Sequence, residues 1–406
     1  MGTFIVKGGH PLSGTVEVSG SKNASLPVIF ASLTTRGVSN ITGLPRILDV
    51  ECALSIISAF GARVTRLGDV TYIDTRDVCP CEPSAELTSR LRASTYLIGA
   101  CLARFGRVTL GEYGGCNFSD RPIDLHILSA ERLGASLSGG VLTAEKLHGA
   151  EIDLHLPSVG ATVNALIMAA SAEGETLIRG GARESHIDTL TEYLTSAGAV
   201  IEREGGEIRV LGSCLGGGEV KIPPDVIEAG TYLSLSGMTG GGIGVTGIGK
   251  ESLAPFLEPL TSAGARISYR DGGIYMDSPP VYPVEITTSP HPGFPTDLGP
   301  PTVPLIAMSA GGVVREEVWR GRFGYLSELS RAGIRSDVRD SYAIIYPHRP
   351  TAAKTVAPDL RGGAALLITA LLAEGVSEIA SAETVLRGYE SPMAKLTRIG
   401  GRVLLK

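Results

Sequence analysis

The stretch GEYGGCNFSDRPIDLH, residues 111–126, places a thiol, Cys116, behind two glycines and five residues ahead of a guanidinium, Arg121. Glycine pairs make permissive backbone, whereas a structural thiol usually prefers burial. A nearby cation favours the thiolate, so Cys116 is a candidate for chemistry rather than packing. Other cations stand where helices should begin: Lys22 in SGSKNAS, Arg92 in TSRLRAS and Arg361 in PDLRGGA. A cation there opposes the helix dipole, and it makes sense when an anion lies between it and the helix N-terminus. Any one of them reads as a surface residue, but three at equivalent positions favour a site for phosphate and carboxylate groups. Ser158 in LPSVGAT, Asp225 in PPDVIEAG and Asp297 in FPTDLGP occupy the same place. Ser158 and Asp225 read equally well as plain N-caps. Arg320 and Arg322 in WRGRFGYLSEL, and Arg387 in VLRGYES, fit the anion reading, although each alone reads as a solvated surface arginine.

The elements that must position these residues show as internal repetition. A helix-like stretch closing on glycine and followed by a strand recurs six times, at Gly61, Gly134, Gly198, Gly264, Gly333 and Gly400, about 64 to 73 residues apart. Apolar residues recur three and four positions before each glycine, which then sits where a helix C-cap belongs. An earlier helix closes near Gly37, Gly106, Gly174, Gly240, Gly311 and Gly375. The candidate charges lie about 14 to 16 residues ahead of these, roughly four helical turns. Two alternating runs around a turn follow the second helix, as in ARVTRLGDVTYID, and read as a hairpin. Each unit is therefore expected to run strand, helix, strand, helix, strand, strand.

Bundled in threes, six such units give two domains of ordinary size. The sixth stops at GGRVLLK, one strand short, while TFIVKG at the N-terminus is a spare apolar run. The two ends should meet in one sheet. This sets a first domain over 21–224, carrying the Cys116 loop, and a discontinuous second domain made of 1–20 plus 225–406.

With 406 residues, 43% of them hydrophobic and 19% charged, the composition is globular and too large for one core. A net charge of −6 argues against nucleic acid or an anionic membrane as partner, so an anionic substrate must be held by local arginines. No apolar run reaches the ~18 residues of a membrane span, and MGTFIVKGGH lacks a signal-peptide layout. Six cysteines without framework spacing fit a reducing cytoplasm. Cys79 and Cys81 in CPC have no second ligand cluster, so no metal site is expected. GGGIG at 240–244 follows a helix and lacks the strand–loop–helix setting of a nucleotide loop.

Taken in order, VSGSKNASLP, RLRAS, GGCNFSDRPIDLH, PSVGAT, ARESHIDT, PHPGFPTDL, GRFGYLSELSR, DLRGGAALL and RGYE resemble the UDP-N-acetylglucosamine 1-carboxyvinyltransferase (enolpyruvyl transferase) family over essentially the whole chain. The resemblance implies an α/β fold of two inside-out barrel domains, three repeats each, hinged around a cleft. It implies transfer of enolpyruvate from phosphoenolpyruvate to the 3-hydroxyl of the sugar through a tetrahedral ketal, with release of phosphate. It calls for small-molecule substrates only, with no cofactor, metal, nucleic acid or membrane. By analogy Cys116 protonates the alkene carbon, Asp297 deprotonates the acceptor hydroxyl, and Lys22 and Arg387 complete the catalytic set. Lys22 and Arg121 fall on the phosphate side of phosphoenolpyruvate and Arg322, Arg361 and Arg387 on its carboxylate side, with Asn23 also binding it. The nucleotide-sugar maps to Asn23, Arg92 and the run Arg121, Pro122, Ile123, Asp124, Leu125. It also maps to Leu156, Pro157, Ser158, Val159 and Gly160, and to Asp297 and Val318. Glycines 114 and 115 would let the loop act as a lid, and Cys116 would be the residue alkylated by fosfomycin.

Departures from the family pattern bear on the acceptor. Leu298 to Pro301, LGPP, replace two amides and add two prolines at a helix start. Val226 stands where the family has arginine, Thr384 where it has histidine, and Val163 where many members are polar. Three readings follow. The acceptor is UDP-N-acetylglucosamine; or it is the 3′-hydroxyl of UMP or UTP, as in nucleoside-antibiotic pathways; or the chain is a silent nucleotide-sugar-binding paralogue. Retention of Cys116, Asp297, Lys22 and the arginines weighs against the third.

Overall fold

The computed structural model describes residues 2–111, 114, 122–240 and 242–406. The chain falls into two compact units, Gly20–Pro223 and Met1–Ser19 with Pro224–Lys406. One sheet plan recurs in both. In Gly20–Pro223 its complete form is Glu151–Asp153 parallel to Glu175–Arg179, which pairs antiparallel with Glu207–Leu211, which closes the hairpin with Val200–Glu204. The parallel pair is bridged by helix Val159–Ala169, buried from Ala161 to its end, and the hairpin is preceded by helix Ser185–Ser196. A helix apolar on every side belongs inside, with the sheet outside it. The same holds in the other unit, where Leu360–Leu371 are all buried within helix Leu360–Leu372. There the three helices Val226–Met238, Gly299–Met308 and Leu360–Leu372 pack on one another. The fold is inside-out in this sense; among the described residues no sheet closes on itself.

All six marker glycines, Gly61, Gly134, Gly198, Gly264, Gly333 and Gly400, take φ between 86° and 121°. Only glycine enters that region without strain, and it ends each second helix where the hairpin begins.

Four sheets depart from the plan. The sixth repeat has one hairpin strand, Arg402–Leu405, and Thr3–Gly8 fills the missing slot, antiparallel to both Gly375–Ala380 and Arg402–Leu405. The ends of the chain therefore share a sheet. The leading strands of two repeats are exchanged. Gly14–Glu17 precedes helix Lys22–Ala31 in sequence but pairs with Ile243–Thr246, while Glu219–Lys221 precedes helix Val226–Met238 but pairs with Val38–Thr42.

The second repeat corrects an expectation, because among the described residues its sheet has three strands, Arg107–Thr109, Val141–Thr143 and Ser136–Ser138, and no leading strand. The segment that should supply one, CPCEP, carries Pro80 and Pro83. Three residues apart, they face opposite sides of a strand, so one of them would remove a ladder donor. Among the described residues, a side-chain bond from Thr109 Oγ1 to Glu82 Oε1 at 2.6 Å ties the segment to that sheet.

Candidate functional site

In Gly20–Pro223, Lys22 is the first residue of helix Lys22–Ala31, whose cap is Ser21, accepting from Ala24 N. The lysine does not face open solvent: its Nζ lies 3.2 Å from Oδ2 of the buried Asp49, in the first turn of helix Leu48–Ala59. Asn23, next to it, is half-buried.

Three stretches of the expected nucleotide site come together in this unit around one buried amide. Asn164, inside helix Val159–Ala169, accepts from Gly99 N at 2.7 Å and donates to Thr95 O at 3.0 Å and to His126 Nδ1 at 2.6 Å. With every atom of the amide engaged, Nδ1 is the acceptor and the neutral ring carries its proton on Nε2. His126 belongs to helix Asp124–Arg132, which follows Pro122 and Ile123; Thr95 belongs to the short turn Arg92–Tyr96. Gly160 completes the contact, because a Cβ there would stand 2.9 Å from His126 Cε1. Ser158 caps the same helix by accepting from Ala161 N at 3.3 Å, so its plain capping role is real. Leu156, by contrast, is exposed.

Burial, reinforced by the charge of Arg92, lowers the His126 pKa to about 4. Since the folded ring protonates less readily than the unfolded one, this stability is complete above 6.5 and is lost as pH falls toward 4. The unit should lose about 3 kcal/mol over that interval. His126→Gln should flatten the slope in denaturant melts across that range, and an unchanged slope would assign it to other groups.

Cys116, Arg121 and Gly115 lie outside the described residues. Gly114 donates its N–H to Thr88 O, and a Cβ on it would fall 1.8 Å from Ser89 O. The requirement for glycine at 114 is therefore close backbone approach, beside the segment leading to Arg92.

In Met1–Ser19 with Pro224–Lys406 the centre is Asp297, in the turn Thr296–Leu298 ahead of helix Gly299–Met308. Its Oδ1 accepts from Arg322 Nη1 at 2.9 Å, and its Oδ2 lies 3.1 Å from Arg361 Nε and 3.0 Å from Arg361 Nη2. Arg322 is 5% exposed and Arg361 1%, so neither is the solvated arginine a lone reading would suggest. Arg361 follows Asp359, which caps helix Leu360–Leu372 by accepting from Arg361 N and Gly362 N. Burial opposes the Arg361 charge, but Asp297, Tyr389 and Asp225 outweigh it and hold the guanidinium charged, above the ordinary arginine value. The guanidinium lies 5.5 Å over the Tyr389 ring. Arg387 closes the short helix Glu383–Leu386 two residues before Tyr389. Its neighbour Gly388 abuts Leu360, where a Cβ would come within 2.6 Å of Cδ2. Asp225 caps helix Val226–Met238, accepting from Ile227 N and Glu228 N. Val318 N donates to Glu316 Oε1 at 3.1 Å, and Arg320 is exposed.

At the family departures, Leu298 packs against Gly230, and Pro300 and Pro301 sit buried in the first turn of their helix, where proline is tolerated. Val226 opens its helix, half-buried, and Thr384 is half-buried in the turn before Arg387. Sequence reading passed over Asp49, Asn164, Glu316 and Tyr389. The first was detectable as an acid in a first helical turn, the others only as polar residues without a period.

Among known proteins, the family model described as EPSP synthase (3-phosphoshikimate 1-carboxyvinyltransferase) matches residues 6–396. The chain is 39% identical to the UDP-N-acetylglucosamine 1-carboxyvinyltransferase of Halothermothrix orenii, over 99% of both chains. It is 38% identical to UDP-N-acetylglucosamine 1-carboxyvinyltransferase 3 of Caldanaerobacter subterraneus subsp. tengcongensis, over 100% of this chain and 99% of the other. The crystal structure of the enolpyruvyl transferase NikO from Streptomyces tendae superposes with TM-score 0.88 at 27% identity, covering 100% of this chain and 99% of that one. EPSP synthase from Acinetobacter baumannii, at TM-score 0.74 and 18% identity over 100% of both chains, shares the fold. Since the repeats, the whole-length identity and the family model coincide over nearly every residue, the chain belongs to the EPSP synthase family.

Proposed function

We propose that this chain is a 1-carboxyvinyltransferase that moves the enolpyruvyl group of phosphoenolpyruvate onto the 3-hydroxyl of UDP-N-acetylglucosamine and releases phosphate. The observation that carries the chemistry is the Asp297 cluster, one partly exposed carboxylate gripped by two buried guanidiniums. The names of full-length relatives at 38–39% identity support the acceptor and the carboxyvinyl group transferred.

In this reading a proton from Cys116 adds to C3 of phosphoenolpyruvate while the acceptor oxygen bonds to C2, giving a ketal. Phosphate then leaves C2 as a proton is lost from C3, which restores the alkene. Asp297 takes the proton of the acceptor hydroxyl. Lys22 and Arg121 serve the phosphate, Arg322, Arg361 and Arg387 the carboxylate, and Asn23 also binds phosphoenolpyruvate. A substrate carboxylate reaching Arg322 and Arg361 competes with Asp297 for them, and every guanidinium bond it takes frees an Asp297 oxygen for the hydroxyl proton. Arg92, Pro122 to Leu125, Leu156 to Gly160 and Val318 serve the nucleotide. Among the described residues no helix is long and apolar enough to cross a membrane. Charged, phosphorylated substrates of this kind support the reading of a cytoplasmic reaction.

A second reading keeps the donor chemistry and moves the acceptor to the 3′-hydroxyl of UMP or UTP. It draws on the agreement with NikO and on Leu298–Pro301, Val226 and Thr384. Phosphate release assayed with UDP-N-acetylglucosamine, UMP and UTP separates the two. Turnover at least tenfold faster with the UDP-sugar is expected, and turnover with UMP or UTP alone would transfer the assignment to the second.

A further inference from the structure

We propose that Glu316 is a positioning residue for the Asp297 cluster, acting on Arg322 through the hydroxyl of Thr296. This rests on the transferase reading above but concerns a residue that the reading does not use. Glu316 ends strand Gly312–Glu316 and is 3% exposed, a place where an unpaired carboxylate would be costly. Its two oxygens are divided between two tasks. Oε1 accepts from Thr288 Oγ1 at 2.7 Å, from Val318 N at 3.1 Å and from Trp319 N at 2.9 Å, which shapes the turn leading to Arg322. Oε2 accepts from Thr296 Oγ1 at 2.7 Å.

That second bond fixes the direction of the threonine hydroxyl. With its proton committed to Glu316, Thr296 Oγ1 presents lone pairs to Arg322 Nη1, 2.9 Å away, and the same Nη1 reaches Asp297 Oδ1 at 2.9 Å. The chain Glu316, Thr296, Arg322, Asp297 is thus polarised in one sense, each donor facing an acceptor. Thr296 precedes Asp297 directly, so Glu316 holds both the backbone that carries the carboxylate and the arginine that grips it.

Glu316→Gln tests this without changing the side chain's shape. Its amide oxygen keeps the bonds of Oε1, so the turn holding Val318 and Trp319 persists. Its NH2 replaces Oε2 and donates where an acceptor is needed. The Thr296 proton is then turned out of its bond, and Arg322 loses its neighbour's charge and orientation. Glu316→Gln should raise KM for phosphoenolpyruvate or lower kcat by about tenfold, with KM for the nucleotide substrate within about twofold of wild type. Thr296→Val should match it and Thr296→Ser should recover most of the loss. The double variant Glu316→Gln/Thr296→Val should cost no more than either single change, as members of one chain do. A crystal structure of Glu316→Gln should show Arg322 Nη1 moved beyond about 3.5 Å from Thr296 Oγ1. This readout holds whether or not the transferase reading does, and failure of the wild type to turn over would count against that reading alone. Unmoved Arg322, or kinetics within twofold of wild type in folded Glu316→Gln and Thr296→Val, would overturn the proposal.

Discussion

Asp297→Asn should lower phosphate release from phosphoenolpyruvate by about 10²- to 10⁴-fold, the range over which a lost general base slows a reaction. Asparagine keeps the volume but places a donor against one of two guanidiniums. Arg322 and Arg361 each reach a separate carboxylate oxygen, at 2.9 Å and 3.0–3.1 Å, so one of them must lose its acceptor. The unpaired buried donor adds a stability cost of about 1–3 kcal/mol. Rates should therefore be taken well below the variant's melting midpoint, where unfolding cannot account for the loss. A variant within tenfold of wild type under those conditions would make Asp297 an anchor for the arginines and put the base elsewhere.

Lys395→Met should be the most destabilising single change outside the site. Glu228 is 1% exposed. Its Oε1 lies 2.7 Å from Lys395 Nζ, and its Oε2 accepts from Ser19 N at 2.7 Å, where Nζ also reaches Ser19 Oγ at 2.6 Å. This pair fastens the chain one residue before it leaves the unit at Gly20. Methionine fills the lysine's space but strands a buried carboxylate, which costs about 3–5 kcal/mol at neutral pH. Burial already raises the Glu228 pKa against the pull of Lys395, and removing the lysine raises it further. For a carboxyl whose folded pKa is raised, the deficit is smallest below the ordinary 4.5 and grows as pH rises through the folded value. Melts of the variant and the wild type at about pH 5 and pH 8 should diverge most at the higher pH. Adding Glu228→Gln should recover much of the loss, because a neutral pair leaves no buried charge. A deficit independent of pH would mean that the carboxylate is not the source.

Much of the architecture was legible because it rests on local physics repeated six times. The glycines at 61, 134, 198, 264, 333 and 400 announce helix ends through a backbone conformation that other residues adopt only under strain. The unfilled hairpin at GGRVLLK and the unclaimed TFIVKG were complementary, and they pair. The leading strand of the second repeat was misread because periodicity elsewhere suggested a strand that Pro80 and Pro83 forbid. Site residues were harder. Arg361 stood out by its position in PDLRGGA, but its burial and its grip on Asp297 depend on packing between helices of two successive repeats. Asn164 and Glu316 looked like stray polar residues in apolar runs, and their meaning appears only when His126 or Thr296 is brought against them. Such residues leave no periodic trace, since each satisfies partners from other elements rather than its own.

³¹P NMR of the protein mixed with phosphoenolpyruvate and UDP-N-acetylglucosamine reads the donor reaction directly. The phosphoenolpyruvate signal should decay as inorganic phosphate appears in step, one for each acceptor converted to its enolpyruvyl ether. Phosphoenolpyruvate that stays intact with UDP-N-acetylglucosamine, UMP and UTP alike would contradict it.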